Sequence, residues 1–211
     1  MKTKDDFNWE TYTQKHYEVE MINILQKQYN HDMIINDFDE VDGIIEFKDN
    51  LHDNWKEIYH QVHKLGVNSV FECGCGCVHH LINISKINPN IEINGCDYSK
   101  SQIDLGYKYY ELDKYDFAKR IIVKDMVDGD FESMGTYEFV YTQAVTIHLS
   151  LDKAKKFLYN MKKLSSKYIF LIVNIREHDY ESLVTEIFPE FDRIKDGRFV
   201  DYGILLKRKD G

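Results

Sequence analysis

Glu72-Cys73-Gly74-Cys75-Gly76 sets an acidic residue two positions before the first of two alternating glycines, a pattern suited to holding a ligand. Glycines placed between a short apolar run and a helix let backbone N–H groups come close to a ligand at the carboxyl end of a strand. Asp97 ends the next apolar run about 20 residues on, where a carboxylate can accept both hydroxyls of a ribose. The two features together describe a nucleoside site. A dinucleotide loop would read G-x-G-x-x-G, and counted from Gly74 the third glycine position is His79, which disfavours NAD. Two histidines qualify as proton acceptors near neutral pH. His148 follows the apolar run 137–142, and His178 stands in Arg176-Glu177-His178-Asp179 after the run 168–173. The competing role for His148 is packing beneath the following helix, and for His178 a place in a solvated loop.

Cys73, Cys75, Cys77, His79 and His80 are dense in zinc-type ligands. Their spacing argues against a metal, because Cys73 and Cys75 straddle a strand end and a tight turn and no second ligand pair follows at zinc-finger distance. No metal is expected; these are read as small reduced residues beside the ligand, with His79 and His80 on the first turn of a helix.

The elements that position these residues follow from periodicity. After Gly66, short apolar runs at 69–73, 91–96, 120–123, 137–142 and 168–173 alternate with helical patterns at 78–87, 100–110, 152–164 and 180–188. That alternation marks βα units and a parallel sheet. Ser99-Lys100-Ser101-Gln102 reads as a capping box. Residues 198–202 and 203–207 look like two arms of a closing antiparallel pair, giving an α/β sheet of about seven strands, mostly parallel. Upstream, Trp9, Tyr12, Tyr17, Met21, Ile24, Leu25 and Gln28 form an amphipathic helical stripe. A further helix carries Trp55, Ile58, Val62 and Leu65, with Asn50 as candidate N-cap and Gly66 as its stop. Residues 31–50 are mixed and acidic and receive no assignment. The expectation is a single domain over 1–211, with 1–66 a helical cap and lead-in and 67–211 the core.

Glu72-Cys73-Gly74-Cys75-Gly76 resembles motif I of class I methyltransferases, E/D-x-G-x-G, and Gly95-Cys96-Asp97-Tyr98-Ser99 resembles their acidic second strand end. The resemblance implies a Rossmann-like methyltransferase fold and S-adenosylmethionine as cofactor. It implies that Glu72 orders the loop near the methionine ammonium, that Gly74, Cys75 and Gly76 line the cofactor, that Asp97 holds the ribose and that Tyr98 flanks the adenine. Asp125 and Met126 match the positions that read the adenine edge, and Gln143 the floor below the amino-acid moiety. An aromatic N-terminal helix covers the cofactor in many related enzymes, which brings in Tyr12. The family's frequent third glycine is Val78 here. Divalent-metal members place acidic ligands at strand ends where Thr142 and Asn174 stand. Tyr141 to Leu149, followed by Leu164 to Phe170, looks like the "V-L-x-H-I … S-x-K-Y-I" pattern of small bacterial methylases of surface-sugar pathways, including pseudaminic acid and capsule modification.

The resemblance implies O-methylation of a small polar metabolite such as a sugar or capsule precursor, with His148 or His178 as base. N-methylation of a small amine remains an alternative, as does a catalytically silent S-adenosylmethionine-binding or partner-binding subunit. Thr142-Gln143-Ala144-Val145 does not replace the Asn-Pro-Pro-Tyr motif that holds planar nitrogens, so base and side-chain amide acceptors are not expected. The formal net charge of −9 disfavours a phosphate backbone, and nucleic acid is not an expected partner. A hydrophobic fraction of 43% supports a folded chain, and no apolar run approaches the roughly 18 residues of a membrane span. With no apolar signal core after Met1, the expected location is the cytoplasm.

Overall fold

The computed structural model describes residues 8–25, 31–173, 178–194, 198–200 and 203–210. Upstream of Gly66 lie α1 (Trp9–Tyr12), a π-helical turn (Thr13–Tyr17), α2 (Glu18–Leu25), β1 (Phe38–Val41), β2 (Ile44–Phe47) and α3 (Asp53–Leu65). The β1–β2 hairpin departs from the helical lead-in expected of residues 1–66. Asp42-Gly43 turns it with φ of 53° and 75°, the two left-handed positions that a type I′ turn needs. Acidic residues hide the alternation that would mark its strands, and Ile45 is the residue it buries. The N-cap of α3 is His52, whose Nδ1 accepts the Asn54 N–H at 3.2 Å, and not Asn50. Asn50 is held in the preceding loop, its N–H donating to Asp32 Oδ2 at 3.0 Å. Gly66 ends α3 in the left-handed conformation. Gln28 and the side chains of Ile24 and Leu25 lie outside the described residues.

Beyond Gly66 the chain runs β3 (Ser69–Cys73), α4 (His79–Ile87), β4 (Glu92–Asp97), α5 (Lys100–Tyr110), β5 (Ile121–Val123), β6 (Tyr137–Gln143), α6 (Leu151–Leu164), β7 (Ser165–Ile172), α7 (Tyr180–Ile187), β8 (Phe191–Ile194) and β9 (Gly203–Arg208). The seven-stranded sheet has the order β5-β4-β3-β6-β7-β9-β8. β5, β4, β3, β6 and β7 are parallel, and β9 pairs antiparallel with both β7 and β8. The chain leaves β3 toward β4 and β5, then returns to place β6 on the other side. This reversal opens a crevice at the carboxyl ends of β3 and β6, the usual ligand position in open α/β sheets.

Strand alternation sends side chains to two apolar layers. Val70, Phe139, Tyr141 and Phe170 pack with Ile58, Tyr59 and Leu81. Phe71, Val140, Ile169 and Leu171 pack with Phe157, Met161 and Leu183 on the other face. No helix among the described residues is long and apolar enough to cross a membrane.

The antiparallel pair differs from expectation in its first arm, which is Phe191–Ile194 and not residues 198–202. The physical reason is Glu57 of α3, 1% exposed. Its Oε2 accepts the N–H groups of Arg198, Phe199 and Val200 at 3.0, 2.6 and 3.3 Å, and its Oε1 accepts Gln61 Nε2 at 2.7 Å. Amides committed to a side-chain carboxylate cannot enter a strand ladder. Residues 201 and 202 lie outside the described residues.

Removing this acceptor leaves one buried and two part-buried amides without their partner, at a cost that rises with burial. Glu57→Ala should lose about 3 kcal/mol, or roughly 6–12 °C in melting temperature for a chain of this size. Glu57→Gln, which keeps one carbonyl oxygen, should lose less. An unchanged melting curve for Glu57→Ala would assign those amides to water.

Candidate functional site

The glycine loop is built by two carbonyl and carboxylate anchors from β4. The N–H groups of Gly74 and Cys75 both donate to the Cys96 carbonyl, at 2.8 and 2.9 Å. Gly74 has φ of +78°, and a Cβ there would come within 2.4 Å of Val145 Cγ2, so only glycine fits. The Gly76 N–H then donates to Asp97 Oδ2 at 2.9 Å, while the Ser99 N–H donates to Asp97 Oδ1 at 2.8 Å. One carboxylate thereby joins the loop after β3 to the loop after β4. Each oxygen retains a lone pair for a ligand hydroxyl. Burial pushes the Asp97 carboxyl up to about 6 against the opposing effect of the two amides, with Glu10 and Asp125 adding repulsion.

The capping box at the start of α5 forms by half. Ser99 Oγ accepts the Gln102 N–H at 3.3 Å, but the Ser99 N–H belongs to Asp97 and Gln102 Nε2 reaches Thr13 Oγ1 at 2.7 Å. Val78, standing for the family's third glycine, keeps a glycine-like φ of +70°. A β-branched residue in that region is a backbone outlier, and such strain collects where surrounding structure fixes the chain. Ala144, at the end of β6, has φ of +57° and turns the chain toward the short helical turn Thr146–His148.

These loops enclose a cavity of about 490 Å³, within the range typical of small-molecule sites. Glu72, Gly74, Cys75, Gly76, Asp97, Tyr98, Asp125, Met126, Gln143 and His148 all line it. Glu72 is 1% exposed, and its Oε2 has no hydrogen-bond partner among the described residues. Burial drives its carboxyl well above the usual range and Asp97 adds to this, while the Tyr141 hydroxyl, close by but outside hydrogen-bond geometry, opposes it. A buried carboxyl oxygen without a partner is suited to a cationic ligand group.

Tyr12 and His178 are not among the lining residues. Tyr12 donates its hydroxyl to Glu20 Oε1 at 2.5 Å, and the aromatic wall comes instead from Trp9 and Tyr17. Trp9 meets the His148 ring edge-on at 4.9 Å, and the Trp9 backbone N–H donates to the Tyr98 hydroxyl at 2.6 Å. His178 lies behind the turn that carries His148, with Nε2 3.1 Å from the Thr146 carbonyl. Arg176 and Glu177 lie outside the described residues. His79 and His80, which the sequence places on the first turn of the helix after the glycine loop, also line the cavity, as do Lys124 and Lys153, which no motif signals.

All four cysteines are buried free thiols. Burial pushes Cys77 up to about 12 and Cys73 well above the ordinary thiol range, so both are neutral thiols near pH 7. Among the described residues no three His, Cys, Asp or Glu side chains are grouped to hold an ion.

No family model matches the chain, and no curated protein matches it in sequence. Solved structures do share its fold. The chain is similar to magnesium protoporphyrin IX methyltransferase (ChlM) from Synechocystis PCC 6803 with bound SAM, with 17% identity, covering 73% of this chain and 76% of that one, at a TM-score of 0.56. It is similar to the plantazolicin methyltransferase BpumL in complex with SAH, with 14% identity, 74% and 82% coverage and a TM-score of 0.54. An O-methyltransferase family protein from Burkholderia thailandensis aligns at 12% identity, 67% and 50% coverage and a TM-score of 0.53. The fold is the Rossmann-like methyltransferase fold.

Gly74→Ala should destabilise the protein by about 2–4 kcal/mol, combining left-handed strain with overpacking against Val145. Val145→Ala in the same chain should restore the packing part and leave the backbone part. Melting temperatures of the two single variants and the double variant check this, and strict additivity would refute the contact.

Proposed function

We propose that this chain is an S-adenosylmethionine-dependent methyltransferase that O-methylates a small polar metabolite. The observation that carries the reading is a single cavity with a partnerless buried carboxyl, Glu72, at one part of its wall and the Asp97 carboxylate at another. An amino-acid ammonium and a ribose diol are the two groups of one molecule that such carboxylates would receive. The fold shared with proteins solved with SAM and SAH supports it.

In this reading Glu72 receives the ammonium, and Asp97 accepts from the ribose hydroxyls while keeping its hold on Gly76 and Ser99. Tyr98, Asp125 and Met126 flank and read the adenine, with Gly74, Cys75 and Gly76 along the middle and Gln143 beneath the amino-acid moiety. When bound, the cofactor supplies an electrophilic methyl on a sulfonium, and the chain's own work is to align an acceptor and exclude water. His148, held at the rim by the Trp9 edge, takes the proton of the acceptor hydroxyl. His178 supports the turn through Thr146. The choice of a sugar or capsule precursor rests on the resemblance of residues 141–149 and 164–170 to surface-sugar methylases. A cavity of about 490 Å³ and an acidic chain favour a small acceptor over a nucleic acid.

Calorimetry should show S-adenosylmethionine and its demethylated product binding in the micromolar range, about 8 kcal/mol, with NAD not binding; binding of NAD alone would sink the proposal. Asp97→Ala should cost the cofactor about 1.5–3 kcal/mol while the fold survives. The ionised form of Asp97 is the ribose acceptor, so affinity should hold above pH 7 and weaken as pH falls through the Asp97 value of about 6. An affinity flat from pH 8 to 5 would remove Asp97 from that role.

His148→Ala should lower turnover by roughly 10²–10⁴-fold with little change in cofactor affinity, and His178→Ala should do less. The rate per folded enzyme at saturating cofactor, with melting temperature alongside, decides between a base and a packing residue. An unchanged rate there eliminates His148 as the base.

A further inference from the structure

The cavity wall also carries a buried imidazole to which the roles above assign nothing. His80 is 2% exposed and lines the cavity. Its Nδ1 lies 2.9 Å from the Tyr59 hydroxyl, and its Nε2 is buried without a hydrogen-bond partner among the described residues.

The proton on this ring can be located from its neighbours. Asn83 Oδ1 accepts the Ile35 N–H at 2.9 Å, which fixes the orientation of the amide. Asn83 Nδ2 therefore donates to the Met33 carbonyl at 2.9 Å and to the Tyr59 hydroxyl at 2.8 Å. Having accepted from Asn83, the hydroxyl gives its own proton to His80 Nδ1. Burial first, and the His79 ring stacked 3.9 Å away second, hold His80 well below its ordinary pKa, so the ring is neutral. A neutral imidazole that accepts at Nδ1 carries its hydrogen on Nε2.

The result is a buried N–H donor lining the cavity with no acceptor in hydrogen-bond geometry among the described residues, the Gln143 side chain facing it from beyond that geometry. The same cavity is lined by a buried carboxyl oxygen that also lacks a partner in that geometry, Glu72 Oε2. One donor for an anion and one acceptor for a cation form a receptor for an α-amino acid group. We infer that His80 Nε2–H binds the α-carboxylate of the cofactor's methionine portion, with Tyr59 and Asn83 as positioning residues that fix the donating tautomer. The inference rests on the methyltransferase reading above. It gives the amino-acid end of the site a neutral donor, so the carboxylate is held without burying a second full charge beside Glu72.

The test compares S-adenosylmethionine with its decarboxylated form, which keeps the ammonium and the nucleoside. His80→Ala should weaken S-adenosylmethionine by about 10- to 100-fold and leave the decarboxylated compound nearly unchanged. Tyr59→Phe should give a smaller loss with the same selectivity, and Glu72→Gln should weaken both compounds. Ring ¹⁵N NMR of the ligand-free parent protein should show His80 neutral and protonated at Nε2, a readout that does not depend on any variant folding. If the parent binds neither compound, the methyltransferase reading fails and takes this inference with it. If the parent binds both and folded His80→Ala loses them equally or not at all, or if NMR finds the proton on Nδ1, the carboxylate assignment alone is overturned.

Discussion

The site depends on one carboxylate. Asp97 spans the Gly76 and Ser99 amides, so the turn after β3 and the start of α5 are set relative to each other by two hydrogen bonds to a single side chain. Charge-assisted bonds of this kind are short and directional, and here they fix a loop whose glycines would otherwise leave it free. The Cys96 carbonyl adds the second constraint by taking two successive amides of the same loop. Burial raises the cost of that charge, which makes the carboxylate responsive to any further donor that enters the cavity.

The same strand end also organises the helical cover. Glu10 Oε2 accepts the Ser99 hydroxyl at 2.8 Å and the Ser101 N–H at 3.1 Å, placing a carboxylate at the N-terminus of α5 where the helix dipole favours it. The Ser101 amide is the main reason its carboxyl lies below the usual range. Through this contact and the Trp9–Tyr98 bond, α1 is fastened to β4's loop and closes over His148. Cover, loop and the Asp97 carboxylate thus share a single stretch of backbone, residues 97–101.

Much of this was readable in the sequence because it depends on short-range pattern. The parallel strands and α4 to α7 follow from apolar runs alternating with helical faces, and the loop follows from glycine spacing. What escaped depended on contacts between distant residues or on helical phase. The first arm of the antiparallel pair was misplaced because residues 198–200 have strand-like composition but give their amides to Glu57. Trp9 and Tyr17 line the cavity and Tyr12 does not, and the π-helical turn Thr13–Tyr17, which follows Trp9 and ends at Tyr17, shifts the phase on which a stripe argument relies. His80 was weighed as a zinc-type ligand, since its tautomer is determined by Asn83 and Tyr59, which no local motif connects to it. The β1–β2 hairpin has its turn signal in Asp42-Gly43, but the acidic residues of its strands hide the alternation that would complete the pattern.

The Glu57 contact also bears on the order of assembly. α3 carries a buried carboxylate whose amide partners lie 141 to 143 residues further along the chain. As the chain emerges from the ribosome, α3 and the first βα units can associate early through local pairing, whereas this carboxylate must stay hydrated until residues 198–200 have been synthesised. The α3 face would then dehydrate late, together with the part of the sheet that β9 completes. Nascent chains shorter than that point would keep it open, marking them as unfinished to chaperones and proteases.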